Sequence, residues 1–306
     1  MNKQWTVGSI LQWTQRFFAE KEIDTPRLDA EILLAHVLGK ERIYLYAHYD
    51  EPMTPGELAA YKDIIKKRAA RYPVARILGV QPFMGLDFSV SAAVLVPRPE
   101  TELLVETVEK EEDRQAPLRI LDMGTGSGAI IISLLHHFTT ATGRGVDISA
   151  EALAVAKKNG EALCVDRVEW TKSDLFADVP AEQYDWLVSN PPYLTQEDMG
   201  RLEPEVSHDP EQALFGGADG LDVYRRIAAD GAAYVKAGGK CTLEVGAGQA
   251  RAVADIFTAT DRFRLIRICK DYGGIERLVL LGKKREGMKD TKVARLTGTA
   301  ADKTVF

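Results

Sequence analysis

The stretch that decides the fold class is residues 120–128, Ile120-Leu121-Asp122-Met123-Gly124-Thr125-Gly126-Ser127-Gly128. It begins as an apolar segment typical of a buried strand and then places a glycine at every second position. Glycine lets the backbone approach a ligand where a Cβ would clash, and a helix starting at such a turn offers unpaired N–H groups. The stretch predicts a strand, a turn and a helix; the turn alone could bind a dinucleotide or merely reverse the chain.

The chain around this turn alternates between strand and helix patterns. Apolar segments typical of strands lie at 118–123, 143–148, 168–172, 184–189, 240–245, 263–269 and 275–281. Helical patterns lie at 129–136, 150–163, 221–237 and 249–258. Such alternation predicts a doubly wound parallel sheet, whereas the short turn at Gly273-Gly274 makes the last two strands antiparallel. The pattern therefore predicts an α/β fold with a seven-stranded, mostly parallel, Rossmann-like sheet of the methyltransferase type.

The rest of the chain predicts three further parts. Residues 1–80 have helical periodicity and predict a small bundle, in which Thr54-Pro55-Gly56-Glu57 has the pattern of a helix cap. Residues 81–97 alternate as a β-hairpin does and would link this bundle to a methyltransferase domain at 98–283. The polar residues 284–306 predict a disordered tail.

Composition restricts the possible function classes. The net charge of −6 argues against a protein whose main partner is nucleic acid. A basic cluster predicts either a solvated helix face or a surface for an acidic or RNA-bound partner; its members are Lys66, Lys67, Arg68, Arg71 and Arg76. Three scattered cysteines and five histidines without metal-binding spacing predict no disulfide and no metal site. Because signal-peptide and membrane-span patterns are missing, we expect a cytoplasmic protein without a membrane partner.

Acidic residues near the glycine turn indicate the kind of cofactor. The turn is tighter than the GxGxxG turn that holds a pyrophosphate. Asp147 ends the second strand, where its carboxylate can accept both ribose hydroxyls; the alternative role, a helix cap, could be filled by Ser149. Asp174, near the end of the third strand, suits an adenine amino group or a turn, and Leu175 and Phe176 would contact the adenine ring. These features predict S-adenosylmethionine, with cofactor contacts from Gly124, Thr125, Gly126, Ser127, Gly128, Asp147, Asp174, Leu175 and Asn190.

A second motif, Asn190-Pro191-Pro192-Tyr193, ends the predicted strand 184–189. Two prolines stop both sheet pairing and helix continuation, so they predict a rigid turn at the carboxyl edge of the sheet, where ligands bind in open α/β folds. The Asn190 oxygen and a proline carbonyl can accept both hydrogens of a planar –NH2 group and aim its nitrogen at a methyl donor. Tyr193 can stack on the planar group. Catalytic roles are predicted for Asn190 and Pro191, and substrate binding for all four residues, Pro192 and Tyr193 included.

Several segments besides this tetrapeptide point to one family. They are Arg71-Tyr72-Pro73 through Gly79, Phe83-Met84-Gly85-Leu86-Asp87-Phe88, Val94-Leu95-Val96-Pro97-Arg98-Pro99-Glu100-Thr101-Glu102, Ala213-Leu214, Gly216-Gly217-Ala218-Asp219-Gly220-Leu221, Leu243-Glu244-Val245-Gly246, and Lys270-Asp271 before Arg277. With them, roughly residues 5–282 resemble the protein-(glutamine-N5) methyltransferases of peptide-chain release factors, the PrmC/HemK family.

The resemblance implies a substrate and site roles. The substrate would be the glutamine of the Gly-Gly-Gln motif of a bacterial release factor, docked by the N-terminal domain, with no direct nucleic-acid partner. Residues 190–193 would grip the glutamine amide, with Asn190 also close to the cofactor methyl. Gly124–Gly128, Asp147 and Leu175 would line the cofactor site, although family members often carry an aromatic residue in place of Leu175. A glutamate commonly stands where this chain has Asp209.

Two other interpretations stay open at this point. The tetrapeptide also occurs in methyltransferases that act on an exocyclic amine, adenine N6 or guanine N2, of DNA or RNA. A binding module that keeps the cofactor fold without activity is the third, although the intact glycine turn and Asn190 argue against it. Residues 97–102 are either a joint between domains or a segment that also touches cofactor or substrate.

Overall fold

Five helices form the N-terminal part of the chain in a computed structural model that describes residues 4–285. Their bounds are Val7–Glu20 (α1), Pro26–Leu38 (α2), Arg42–Ala47 (α3), Pro55–Ala69 (α4) and Val74–Leu78 (α5). The predicted cap of α4 is confirmed: the Thr54 hydroxyl accepts the Glu57 N–H at 3.3 Å, and the Glu57 carboxylate accepts the Thr54 N–H at 2.7 Å. The tail predicted at 284–306 lies outside the described residues from 286 onward.

A short hairpin follows the five helices. Its antiparallel strands are Val80–Phe83 (β1) and Leu86–Ser89 (β2). Met84 and Gly85 between them have φ of +50° and +73°, as the tightest hairpin turns require. The predicted hairpin reaches residue 97 and is too long, because the apolar side chains beyond β2 pack against the two flanking parts of the protein instead of pairing in a sheet. Their buried cluster consists of Ala75, Val90, Val94, Val96 and Ala152.

Seven strands form the main sheet, in the order β5-β4-β3-β6-β7-β9-β8. Their bounds are Arg119–Met123 (β3), Thr142–Asp147 (β4), Val168–Lys172 (β5), Tyr184–Ser189 (β6), Val235–Glu244 (β7), Phe263–Lys270 (β8) and Glu276–Lys283 (β9). Strand β9 runs antiparallel to its neighbours β7 and β8, and the other strand pairs are parallel. The predicted fold class and the antiparallel final pair are confirmed.

The remaining helices connect these strands. They are Glu102–Glu111 (α6), Ala129–His137 (α7), Ala150–Ala162 (α8), Gln196–Met199 (α9), Asp222–Asp230 (α10) and Ala250–Ala259 (α11). The helix predicted over 221–237 is too long, because α10 ends at Asp230 and β7 already begins at Val235. Gly238 takes φ +82° inside β7, and this irregularity interrupts the apolar alternation of the strand. None of the helices described between residues 4 and 285 is long and apolar enough to cross a bilayer.

The predicted basic cluster lies largely between the N-terminal helices and the loop after α9. Arg68 is buried and pairs with Asp29 at 2.6 Å and with Glu205 at 2.8 Å. Arg71 donates to the other Glu205 oxygen at 2.9 Å. Arg76 pairs with Asp209, a second acid of that loop. These three arginines are therefore neither a solvated face nor a free surface for a partner, because carboxylates of the same chain neutralise them.

Candidate active site

The glycine turn between β3 and α7 opens onto a cavity of about 360 Å³. Gly124 and Gly126 have φ of +74° and +56°, which glycine adopts without steric cost. A Cβ on either residue would meet no atom within 4 Å. The N–H groups of Gly124 and Thr125 both donate to the Val146 carbonyl at 2.9 Å and tie the turn to β4. The turn is thus a rigid backbone cradle that faces open space.

Two residues of the glycine stretch lie behind this cradle. Gly128, a predicted cofactor contact, does not line the cavity; a Cβ there would lie 2.8 Å from the Ile132 side chain, so this glycine serves close packing of α7. Asp122 is fully buried and accepts a hydrogen bond from the Thr125 hydroxyl at 2.7 Å. Burial raises the pKa of Asp122 to about 7, although the Thr125 hydroxyl acts in the opposite direction.

Asp147 stands at the end of β4, beside the cradle. One carboxylate oxygen accepts the Gly126 N–H and the other accepts the Ser149 N–H, both at 2.9 Å. The Ser149 hydroxyl accepts the Ala152 N–H at 3.1 Å and so caps α8. Because Ser149 fills the role of helix cap, Asp147 is available to the cavity that it lines. Burial raises the pKa of Asp147, opposed by the N–H groups, and each of its oxygens can accept a further hydrogen bond.

The residues expected around adenine are divided between the cavity and the core. Asp174 lines the cavity but pairs with Arg226 at 2.9 Å. Leu175 lines it too, with a left-handed φ of +52° that is strained in a residue other than glycine. Phe176 is buried and stacks on Tyr234 at 4.7 Å between ring centroids, which corrects the expectation that it contacts adenine.

The sequence reasoning missed Ile148 as a cavity residue. Its side chain is 53% exposed and lines the cavity directly after Asp147. With Leu175 it supplies apolar surface at this end of the cavity. A large aliphatic residue immediately after the acidic end of a strand, before the capping Ser149, was the signal available in the sequence.

The proline motif contributes two residues to the cavity. Asn190 and Pro192 line it, whereas Pro191 is buried beneath them. Tyr193, expected to stack on a substrate, turns its ring toward Gly246, where a Cβ would lie 3.0 Å from the ring. The Tyr193 carbonyl accepts the Gln249 side-chain amide at 3.0 Å. The side chain of Tyr193 thus packs beneath the site, because the segment after β7 covers it.

Thr101 brings the segment 97–102 into the same cavity. It is buried, lines the cavity, and its hydroxyl oxygen accepts the Asn190 side-chain amide at 3.2 Å. Glu102 beside it accepts the Met84 N–H at 2.7 Å and so joins this segment to the hairpin. The segment is therefore a joint that also reaches the cavity, and its contact with cofactor or substrate stays a prediction.

The loop after α9 forms a further wall that the sequence reasoning did not assign. The cavity residues of this loop are Pro210, Gln212, Ala213 and Phe215. Asp209 anchors the wall: its fully buried carboxylate pairs with Arg76 and with Arg98, each at 2.6 Å. The carboxylate that resembling proteins commonly carry at this position is kept here as aspartate. The N-terminal helices and the linker thus hold one wall of the site.

S-adenosylmethionine fits this arrangement. The volume lies in the range of small-molecule sites. The bare cradle at Gly124–Gly126 would receive the charged methionine part, the Asp147 carboxylate the ribose hydroxyls, and the apolar surface of Ile148 and Leu175 the adenine ring. The far end of the same cavity, at Asn190, would then face the methyl group.

Comparisons with known proteins identify the family of the chain. Residues 9–79 match the family model of the PrmC N-terminal domain, and residues 99–214 match that of the methyltransferase small domain. A release factor glutamine methyltransferase from Geobacter sulfurreducens is 41% identical, over 90% of this chain and 96% of its own. One from Moorella thermoacetica is 38% identical, over 92% of this chain and 100% of its own.

A solved structure supports the fold alone. A methyltransferase from Pyrococcus furiosus is 16% identical and has a TM-score of 0.51, covering 65% of this chain and 90% of its own. The two relatives, by contrast, match nearly the whole chain at identities that specify a family. The predicted family is thereby confirmed, and the chain belongs to the release factor glutamine methyltransferase family.

Proposed function

We propose that this protein transfers a methyl group from S-adenosylmethionine to the side-chain nitrogen N5 of the glutamine in the Gly-Gly-Gln motif of a bacterial release factor. The observation that carries the proposal is the position of Asn190. Its side chain lines the same cavity as the glycine cradle and Asp147, and its Nδ2 is already bound to Thr101. The Asn190 oxygen is therefore the atom left to accept a hydrogen from a substrate.

The chain's own residues would hold the donor in place. Bound S-adenosylmethionine supplies an electrophilic methyl group on a sulfonium. The cradle from Gly124 through Ser127 and the Asp147 carboxylate would fix the donor, and Asp174 and Leu175 would flank its adenine. Because the cradle is tied to β4 by backbone hydrogen bonds, it is formed before the donor arrives, and this preorganisation favours binding.

The substrate amide would be held by two acceptors at the other end of the cavity. The Asn190 oxygen would accept one of its hydrogens and a backbone carbonyl of the Pro191-Pro192 pair the other, and the Pro192 ring would pack beside it. Held in this way, the nitrogen forms its new bond to the methyl carbon as the carbon–sulfur bond breaks with its electron pair staying on sulfur, and the nitrogen then loses one proton to water. The acceptors act by orientation and by stabilising the positive charge that develops on nitrogen.

A protein substrate agrees better with the surface than a nucleic acid does. Arg68, Arg71 and Arg76 are neutralised within the chain, so they are not available to phosphates, whose neutralisation supplies much of nucleic-acid affinity. The relatives from Geobacter sulfurreducens and Moorella thermoacetica are both release factor glutamine methyltransferases. We therefore assign a release factor as the partner of this chain as well.

The test is a transfer assay with methyl-labelled cofactor. The protein is incubated with a purified bacterial release factor, with the variant of that factor whose motif glutamine is alanine, and with DNA and RNA. We expect label on the release factor and none on its alanine variant. Label on DNA or RNA but not on the release factor would refute the proposal, and bound cofactor without transfer to any substrate would favour a binding module.

A further inference from the structure

The hairpin β1–β2 is connected by hydrogen bonds toward both ends of the cavity, although its sequence predicts only a link between two parts of the chain. Its two phenylalanines, Phe83 and Phe88, are buried and meet edge to face with 6.0 Å between ring centroids. They belong to one buried cluster with apolar side chains of α6 and α7. Since a close-packed interior deforms little, hydrogen bonds at the two ends of this hairpin can fix distant groups relative to each other.

Asn159 joins one end of the hairpin to the cofactor end of the cavity. It lies on α8 and is buried. Its Oδ1 accepts the N–H of Ser89, the last residue of β2, at 2.8 Å, and its Nδ2 donates to the Ser89 carbonyl at 3.0 Å. The same Nδ2 donates to the carbonyl of Ser127 at 2.9 Å. Ser127 belongs to the cradle and lines the cavity, so a single side-chain amide binds the cradle to the hairpin.

Glu102 joins the other end of the hairpin to the substrate end of the cavity. Its carboxylate accepts the N–H of Met84, in the hairpin turn, at 2.7 Å. Glu102 is the first residue of α6 and follows Thr101, whose hydroxyl oxygen accepts the Asn190 side-chain amide at 3.2 Å. The hairpin thus connects the cradle with the residue expected to hold the substrate nitrogen, by a route outside the main sheet.

We propose that Asn159 and Glu102 are positioning residues that use the hairpin as a brace, which sets the distance between the cradle and Asn190. Methyl transfer needs the methyl carbon and the acceptor nitrogen about 3–3.5 Å apart and in line, and a misplacement of about 1 Å can slow a reaction about a hundredfold. A loosened brace would therefore slow transfer although every group that touches donor or acceptor is kept. The inference rests on the proposed function only in that the donor binds at the cradle and a planar –NH2 group at Asn190.

The first experiment compares Glu102→Ala and Glu102→Gln in the transfer assay, with saturating cofactor and the release factor. Alanine removes the acceptor of the Met84 N–H, so we expect kcat to fall about fivefold to thirtyfold while the cofactor Kd changes by less than about threefold. Glutamine keeps an oxygen acceptor, so kcat should stay within about threefold of the parent. Glu106→Ala on the same helix, whose carboxylate binds Lys110 and Tyr272, is the matched control and should leave kcat within about twofold.

A second experiment tests whether Asn159 and Glu102 act through the same hairpin. Asn159→Ala frees the Ser127 carbonyl and should also lower kcat about fivefold to thirtyfold at saturating cofactor. Two independent defects multiply their effects on kcat, whereas two breaks in one connection do not. The double variant should therefore stay within about threefold of the slower single variant. If chemical unfolding shows that Asn159→Ala is not folded, the two Glu102 variants, at a half-buried side chain, still decide the proposal.

Three results would overturn the proposal. They are a parental kcat in Glu102→Ala, a Glu102→Gln variant as slow as Glu102→Ala, and effects of Glu102→Ala and Asn159→Ala on kcat that multiply in the double variant. Should the parent label DNA or RNA instead of the release factor, the proposed function fails, and the same variants test the brace on that substrate.

Discussion

The two ends of the cavity each have a threonine whose hydroxyl is hydrogen-bonded to another side chain, and the two pairs are built differently. At the cofactor end, Asp122 accepts from Thr125, three residues further along the same turn. At the substrate end, Thr101, which precedes α6, accepts from Asn190, 89 residues further along the chain. Burial raises the pKa of the Asp122 carboxyl to about 7. One pair is local, and the other exists only through the tertiary fold.

The difference indicates that the two ends of the cavity affect different measurable properties, cofactor affinity at one end and turnover at the other. The cofactor end is built mainly from β3, β4 and the turns that follow them, so changes there should alter cofactor affinity. The substrate end joins the linker, the strand ends and the loop anchored by Asp209, so changes there should alter turnover or the joint between the domains. The following predictions test this division, from the largest expected effect to the smallest.

The largest effect is expected for Asp209→Ala, which removes the buried ion pairs that join the loop after α9 to α5 and to the linker. Its carboxylate is fully buried between Arg76 and Arg98, and loss of one partner of a buried ion pair costs about 3–5 kcal/mol. Chemical unfolding should show that loss in the free energy of unfolding. Glu197→Ala removes an exposed pair with Arg201 and should cost less than about 1 kcal/mol. Equal losses in the two variants would refute the anchoring role of Asp209.

The next effect is on turnover. Asn190→Ala removes the acceptor at the substrate end, so kcat should fall at least about a hundredfold, while the cofactor Kd should stay within about tenfold, or 1.4 kcal/mol. Steady-state transfer assays and equilibrium titration with cofactor measure the two quantities separately. A cofactor Kd that rises by much more than tenfold would show that Asn190 acts mainly on the cofactor.

A smaller effect is expected at the cofactor end. Asp147→Ala removes the carboxylate that accepts two backbone N–H groups beside the cradle and that would accept the ribose hydroxyls of the cofactor. Hydrogen bonds to a charged group contribute about 1.5–3 kcal/mol each. The cofactor Kd should rise about tenfold to a hundredfold in equilibrium titration. Asp174→Ala, whose carboxylate is half exposed and paired with Arg226, should change it by less than about fivefold. A larger rise in the cofactor Kd for Asp174→Ala than for Asp147→Ala would place the main polar contact of the cofactor at Asp174.

The smallest effect is a slope of stability with pH from Asp122. Its folded pKa of about 7 lies above the value of about 3.9 in an unfolded chain. Between these values the unfolded state has released a proton that the folded state keeps, so stability falls as pH rises and the contribution is lost above about pH 7. Asp122→Asn should remove roughly 1 kcal/mol of the difference in unfolding free energy between pH 6 and pH 8. If Asp122→Asn leaves the difference in unfolding free energy between pH 6 and pH 8 unchanged, the Asp122 carboxyl titrates outside this pH range.

Local patterns in the sequence predicted the fold well. The strand at 184–189 and the cap at Thr54 are placed as predicted, because sheet alternation and capping depend on residues a few positions apart. The helix over 221–237 was predicted too long, because glycines inside β7 hide its apolar alternation. Phe176 was placed at the cofactor and lies in the core, because an apolar residue at a strand end is equally suited to both.

The sequence by itself determined the α/β architecture, the glycine cradle and the family of this protein, since each depends on residues that are neighbours in the chain or on a motif of fixed spacing. Only the tertiary structure decided that Thr101 binds Asn190, that Asp209 binds two arginines from other segments, and that the three arginines of the basic cluster are neutralised. The physical reason is that hydrogen bonds and ion pairs act over a few ångströms of space. Residues far apart in the chain therefore have no recognisable spacing until the sheet brings its strand ends together.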